Sequence, residues 1–99
     1  MTDSKWPFAD PRTATVFTVR AVMERASPIL LVAHDEEDGA WQFLSGLPMT
    51  INEARMVALH EVYAVDPSLS EVADLPIGWE ATREAPGAPW TRKPAVNEW

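Results

Sequence analysis

The stretch TATVFTV, residues 13–19, is dense in β-branched side chains and predicts a strand, after which Thr18 is placed to cap a short helical turn running to Met23. Pro28 marks the break that follows. Residues 29–34 form a short, strongly apolar run suited to a central strand, and residues 40–44 alternate Trp41 and Phe43 against Gln42 and Leu44. Between the two lies DEEDG, whose last residue accepts positive φ at little cost. The pattern therefore predicts a β-hairpin with residues 35–39 as its tip. That tip must be solvent-exposed, because four adjacent carboxylates are too costly to bury unpaired.

Residues 52–65 admit two readings. In one, Asn52 caps a single helix to Val65, with Ile51 stapled against Met56. In the other, residues 56–59 are a buried strand and 60–65 a short helix, stopped at Asp66-Pro67 because the proline ring restricts its predecessor. Periodicity does not choose between them. Ser70 is placed to cap a further helical turn, and Pro76 with Gly78 resets the chain before GWEATRE. That segment reads as a strand with Trp79 and Ala81 inward and Glu80, Thr82 and Glu84 toward water. Residues 86–99 carry three of the nine prolines and little periodicity, the signature of a loosely attached tail. The expected organisation is an N-terminal arm (1–12), one domain (13–85) and a Pro-rich C-terminal tail (86–99). Its class is α+β, a small single domain with an antiparallel sheet of three to five strands and one or two short helices.

Charge sharpens this picture. The 99 residues carry a formal net charge of −7. Residues 1–33 contribute +1, residues 35–84 contribute −9 and residues 85–99 contribute +1. Such a balance repels nucleic-acid phosphate and anionic lipid, so neither nucleic acid nor membrane is an expected partner. With no cysteine the chain forms no disulfide, no thiolate zinc site and no cysteine nucleophile, which suits a reducing cytoplasm. The N-terminus shows no basic start followed by an apolar stretch, and a cytoplasmic location is expected.

Candidate chemistry is sparse. His34 precedes Asp35, Glu36, Glu37 and Asp38, an oxygen-rich loop with one imidazole. A calcium loop needs alternating ligands and a distant bidentate glutamate, whereas consecutive acids in a hairpin point to different sides, so no metal site is expected. His60 completes the histidine inventory, and carboxylates near it in sequence do not by themselves make an acid–base pair. Ser45-Gly46 lacks the nucleophile elbow, and the four glycines never cluster as a phosphate loop. No catalytic residue and no cofactor are expected. Trp41, Phe43 and Trp79 belong to inward faces by alternation. Trp90, among Pro86, Gly87, Pro89 and Pro94, either staples the tail to the domain or meets a partner.

The run HDEEDGAWQFLSG, followed by VDPSLSEVADLPIGWEATRE and the later Trp90, resembles a bacterial family of small proteins related to domain of unknown function 2185 and to immunity-protein-33-like domains. The resemblance spans roughly residues 12–92. It implies an α+β fold with an antiparallel sheet, no established enzymatic activity and no agreed catalytic residues. It lends weight to the divided reading of 56–65. For some relatives it implies neutralisation of a toxin by binding, an inference at the level of fold alone.

The function these features support is a small acidic cytoplasmic protein-binding module, with an immunity-like inhibitor as one form. Asp35, Glu36, Glu37, Asp38 and Trp90 are its candidate partner-binding residues, and the partner is a basic or mixed protein surface. One alternative is a small-molecule-binding or enzymatic domain using His34 and His60 with nearby carboxylates. Another is a structural subunit that forms a homodimer through a sheet edge.

Overall fold

The computed structural model describes residues 6–46 and 51–95. Six strands, β1 (Thr15–Val19), β2 (Leu31–His34), β3 (Trp41–Leu44), β4 (Ala54–Ala58), β5 (Trp79–Thr82) and β6 (Thr91–Pro94), form one sheet in the order β4-β1-β3-β2-β5-β6. Helices α1 (Arg20–Met23) and α2 (Leu59–Val65), a short 3-10 turn (Ile51–Glu53) and a 3-10 helix (Pro67–Val72) complete the α+β fold. Among the described residues no helix is long and apolar enough to cross a membrane.

Two features of the expected sheet are corrected. It has six strands instead of three to five, and it is mixed, because β1 runs parallel to β3 while every other pair is antiparallel. The chain leaves β1, skips one strand position to form β2, and the hairpin folds β3 back into the vacant slot. Because β2 runs opposite to β1, the hairpin return into that slot runs the same way as β1. The two extra strands come from segments whose local pattern is weak. β4 lies within the ambiguous 52–65 stretch, and β6 lies within the segment expected to be a loose tail.

The divided form of 52–65 is the one adopted, with a boundary slightly earlier than expected, but the strand lies at the sheet edge with Met56 exposed and is not the buried strand expected. All five residues of β4 pair with β1, and the chain then turns into α2 at Leu59. Helix starts leave backbone N–H groups unpaired, and here three are satisfied locally. Leu59 N–H donates to Ala14 O (2.8 Å), His60 N–H to Arg12 O (3.0 Å), and Ala58 N–H to the Glu61 carboxylate (3.2 Å). Thr18 does not cap α1. Its hydroxyl donates to Phe43 O at 2.7 Å, bracing the parallel β1–β3 pair, and α1 begins without a side-chain cap. Asp66-Pro67 both ends α2 and opens the 3-10 helix, with the Asp66 carboxylate accepting from Ser68 N–H at 3.0 Å. The capping role expected of Ser70 falls to Asp66.

One face of the sheet carries the core. Val16, Val32, Trp41, Phe43 and Ala81 point into it, and Val22, Leu59, Val62, Leu69, Val72 and Leu75 cover them from the helical layer. Segments on both sides of residues 13–85 pack onto the domain, including the one expected to be loosely attached. Phe8 is buried edge-on against Trp41 at 5.3 Å between centroids, and Trp6 packs edge-on against Tyr63 at 5.4 Å. In a chain this short, aromatic area outside the nominal domain is needed to fill the core. At the other terminus β6 completes the sheet as an edge strand, a position that tolerates Pro94 because its missing N–H is not needed for pairing outward.

A candidate interaction surface

The hairpin places the acidic tip. His34 pairs with Trp41, Asp35 N–H donates to Ala40 O at 2.7 Å, and Gly39 N–H donates to Asp35 O at 3.0 Å. Gly39 adopts φ 71°, the left-handed conformation the turn requires. Two of the four carboxylates help to build the turn. Asp35 Oδ1 accepts from Glu37 N–H at 3.3 Å and Asp38 Oδ1 from Ala40 N–H at 3.0 Å. Glu36, Glu37 and Asp38 are exposed and Asp35 half-buried, as expected for this tip. Its back rests on the residues before β5, where Gly78 N–H donates to His34 O at 2.6 Å and Glu36 lies close against Gly78.

Two large apolar side chains are exposed among the described residues, Met56 (65%) and Ile77 (56%). Both border this tip. Met56 shares a shallow depression of about 210 Å³ with Phe17, Gln42, Ala40, Asp35 and Asp38. A β-carbon at Gly39 would touch Ile77 at 3.9 Å. Neither residue stands out in the sequence. Whether Met56 faces core or water depends on whether its segment is strand or helix, and only strand parity places it opposite Val57.

The histidines are not brought together. His34 stacks on Trp41 at 3.9 Å between centroids, and its Nδ1–H donates to Leu75 O at 2.7 Å, so this ring is fixed within the packing. His60 is exposed at the start of α2, beyond β4. Three strand spacings separate β2 from β4, roughly 14 Å. Among the described residues no group of three His, Asp or Glu is arranged to hold a metal ion.

Trp90 lies at the other end of the sheet from the tip, because Thr91 pairs with Thr82 and Thr82 with Leu31, whereas His34 pairs with Trp79. Its indole is half-buried against the core, with the Arg83 guanidinium 4.3 Å from the ring centroid, and its N–H is buried without a partner. The stapling role is the one its packing fits.

Arg83 is the residue that sequence reasoning passed over. Its guanidinium is buried and donates to Ile29 O (3.0 Å), Ser68 Oγ (3.1 Å) and Asp66 Oδ2 (2.6 Å). Its parity with Trp79 and Ala81 was the available signal, since all three share the inward side of an extended strand. Burial alone would raise the Asp66 carboxyl's pKa, but hydrogen bonds from Ser68 and Arg83, with the Arg83 charge, hold it below the ordinary carboxylate value. The depressions beside this network, of about 360 and 460 Å³, contain neither histidine. No protein-family model matches the chain, and no curated protein and no solved structure matches it either.

Proposed function

We propose that this protein is a small acidic protein-binding module that meets a basic or mixed partner surface through the 35–38 tip. The observation that carries the reading is the setting of those four carboxylates at an exposed turn with few compensating cations. Residues 35–84 hold eleven acids and two bases. One base, Arg83, is buried on Asp66, and the other, Arg55, folds back onto the carbonyls of Asn52 and Ala54 at 3.0 and 2.8 Å. A field of this sign attracts a basic surface and raises encounter rates, while adjoining apolar side chains supply most of the affinity. An immunity-like inhibitor is the form the family resemblance suggests, and the absence of cysteine agrees with a cytoplasmic setting.

The enzymatic alternative gains nothing from a stacked His34 and a distant His60. The edge-paired homodimer is disfavoured by how the edges are blunted. Leu59 N–H points to β1, so by alternation Ala54, Met56 and Ala58 direct their backbone groups outward. Arg55 occupies Ala54 O and Glu61 occupies Ala58 N–H, so part of this edge's outward backbone is already bonded within the chain. At β6, Pro94 and the paired cations Arg92 and Lys93 do the same.

Co-purification from the native host tests the proposal. The tagged chain should retain a basic protein at low salt and lose it at high salt, and a variant with all four tip carboxylates changed to amides should not retain it. Equal retention by both chains contradicts the role of the tip.

A further inference from the structure

The sheet face opposite the core is unlike an ordinary solvated one. Antiparallel sheets with one wet face carry polar and charged side chains there. On β1 to β4 the outward positions include Thr15, Phe17, Leu31, Ala33, Gln42 and Met56, and among the described residues no charged side chain falls on that face of these four strands. Charge appears only at its borders. The 35–38 carboxylates close one end, and the Glu80–Lys93 pair, 3.7 Å apart, lies along the β5–β6 side. A charge-free centre with a charged rim is the layout of a binding surface. Single exposed apolar residues are common on soluble proteins, but here Met56 lies beside half-buried Phe17 with Asp35 and Asp38 on the same depression.

From this layout we infer that the open face of β1 to β4 is a docking floor for a short basic segment of a partner protein. An apolar side chain of that segment seats on Phe17 and Met56, and flanking lysines or arginines meet Asp35 and Asp38. The inference rests on the binding reading above and names its partner more closely. Size and charge select the occupant. Four strands about 4.8 Å apart and about four residues long span roughly 250 Å². A standard interface takes about 800 Å² from each partner, so the floor suits a segment better than a globular surface. A second copy of the chain would bring the same carboxylates and a charge of −7 to a negative rim.

Two amidated nine-residue peptides serve as probes, each with two lysines on either side of a central residue that is leucine in one and serine in the other. They are titrated into the full chain carrying carbon-13 in its methionine methyls. The leucine peptide should shift the Met56 methyl resonance saturably, leave Met23 unmoved and bind about tenfold more tightly than the serine peptide. Met56→Lys, at an exposed position and with an unchanged Met23 signal as proof of folding, should abolish that preference. Equal, salt-sensitive affinities with the Met56 methyl resonance unmoved would overturn the docking floor and leave the acidic-tip reading standing. If neither peptide binds, both are wrong.

Discussion

Arg83 Nη2 lies 2.6 Å from Asp66 Oδ2, joining the end of β5 to the junction of α2 and the 3-10 helix. The same guanidinium reaches Ile29 O ahead of β2 and covers the Trp90 ring ahead of β6. One buried cation therefore ties together four separate segments. Its charge is spent inside the molecule, so it does little to offset the acidic field at the surface. Removing Arg83 leaves the half-buried Asp66 carboxylate its Ser68 bonds but takes the donor from Ile29 O, a loss of about 2 kcal/mol, below that of a fully buried pair. Arg83→Ala should lower unfolding stability by about that amount, read from a urea or guanidinium transition. A loss well under 1 kcal/mol would show that the network contributes little.

The same pair sets a pH dependence. The folded pKa of Asp66 lies below its unfolded value of about 3.9, so its stabilisation is fully present above that value and is lost as pH falls through the lower folded one. Asp74 is shifted the same way by its hydrogen bond from Arg92, but it is exposed and screened. Thermal midpoints should therefore hold near neutral pH and drop below about pH 4. Asp66→Asn should be less stable than the parent at pH 7 and should show a shallower acid decline. An unchanged acid slope would mean that other carboxylates control the transition.

Arg25 has φ 62°, the only non-glycine residue with positive φ among those described. It follows α1, with its N–H donating to Val22 O at 3.0 Å and Ala26 N–H to Ala21 O at 2.8 Å, at a helix end where glycine is favoured. A side chain there costs roughly 1–2 kcal/mol, and glycine gives back part of the gain as unfolded-chain entropy. Among the described residues its side chain makes one long hydrogen bond, to Ala64 O at 3.4 Å. Arg25→Gly should raise stability by about 0.5–1 kcal/mol, a shift of a few degrees in Tm. A loss of stability would mean that the Arg25 side chain matters more than its backbone strain.

The parts of this fold that sequence discloses are those fixed by neighbours in the chain. Asp38-Gly39 with the Trp41 and Phe43 alternation identifies the hairpin, and with it the acidic tip, because turn chemistry and side-chain parity are local. The β1–β3 parallel pairing rests on contacts between residues 25 apart, whereas β6 is close to β5 in sequence but is exposed throughout and shows no alternation. Thr91, Arg92, Lys93 and Pro94 look like tail until β5 lies beside them. Strand β4 was ambiguous for a related reason, since Ala54 to Ala58 gain their extended form from pairing with β1. The apolar floor inherits that ambiguity. Phe17 and Met56 meet only after β1 and β4 pair, with Phe17 opposite Met56, so no spacing along the chain announces them.

The rate of association with the physiological partner tests the central claim most directly. The parent chain is compared with one carrying Asp35→Asn, Glu36→Gln, Glu37→Gln and Asp38→Asn, changes that keep the oxygens accepting from Glu37 and Ala40 N–H. Steering by an exposed field is screened over a Debye length of about 8 Å at physiological salt and about 30 Å at 0.01 M. Stopped-flow mixing across that range should give a parent rate that falls steeply as salt rises. The amide variant should associate more slowly at low salt, with a nearly flat salt dependence and the parent's thermal midpoint. Identical rates and salt slopes for the two chains would contradict recognition through the tip.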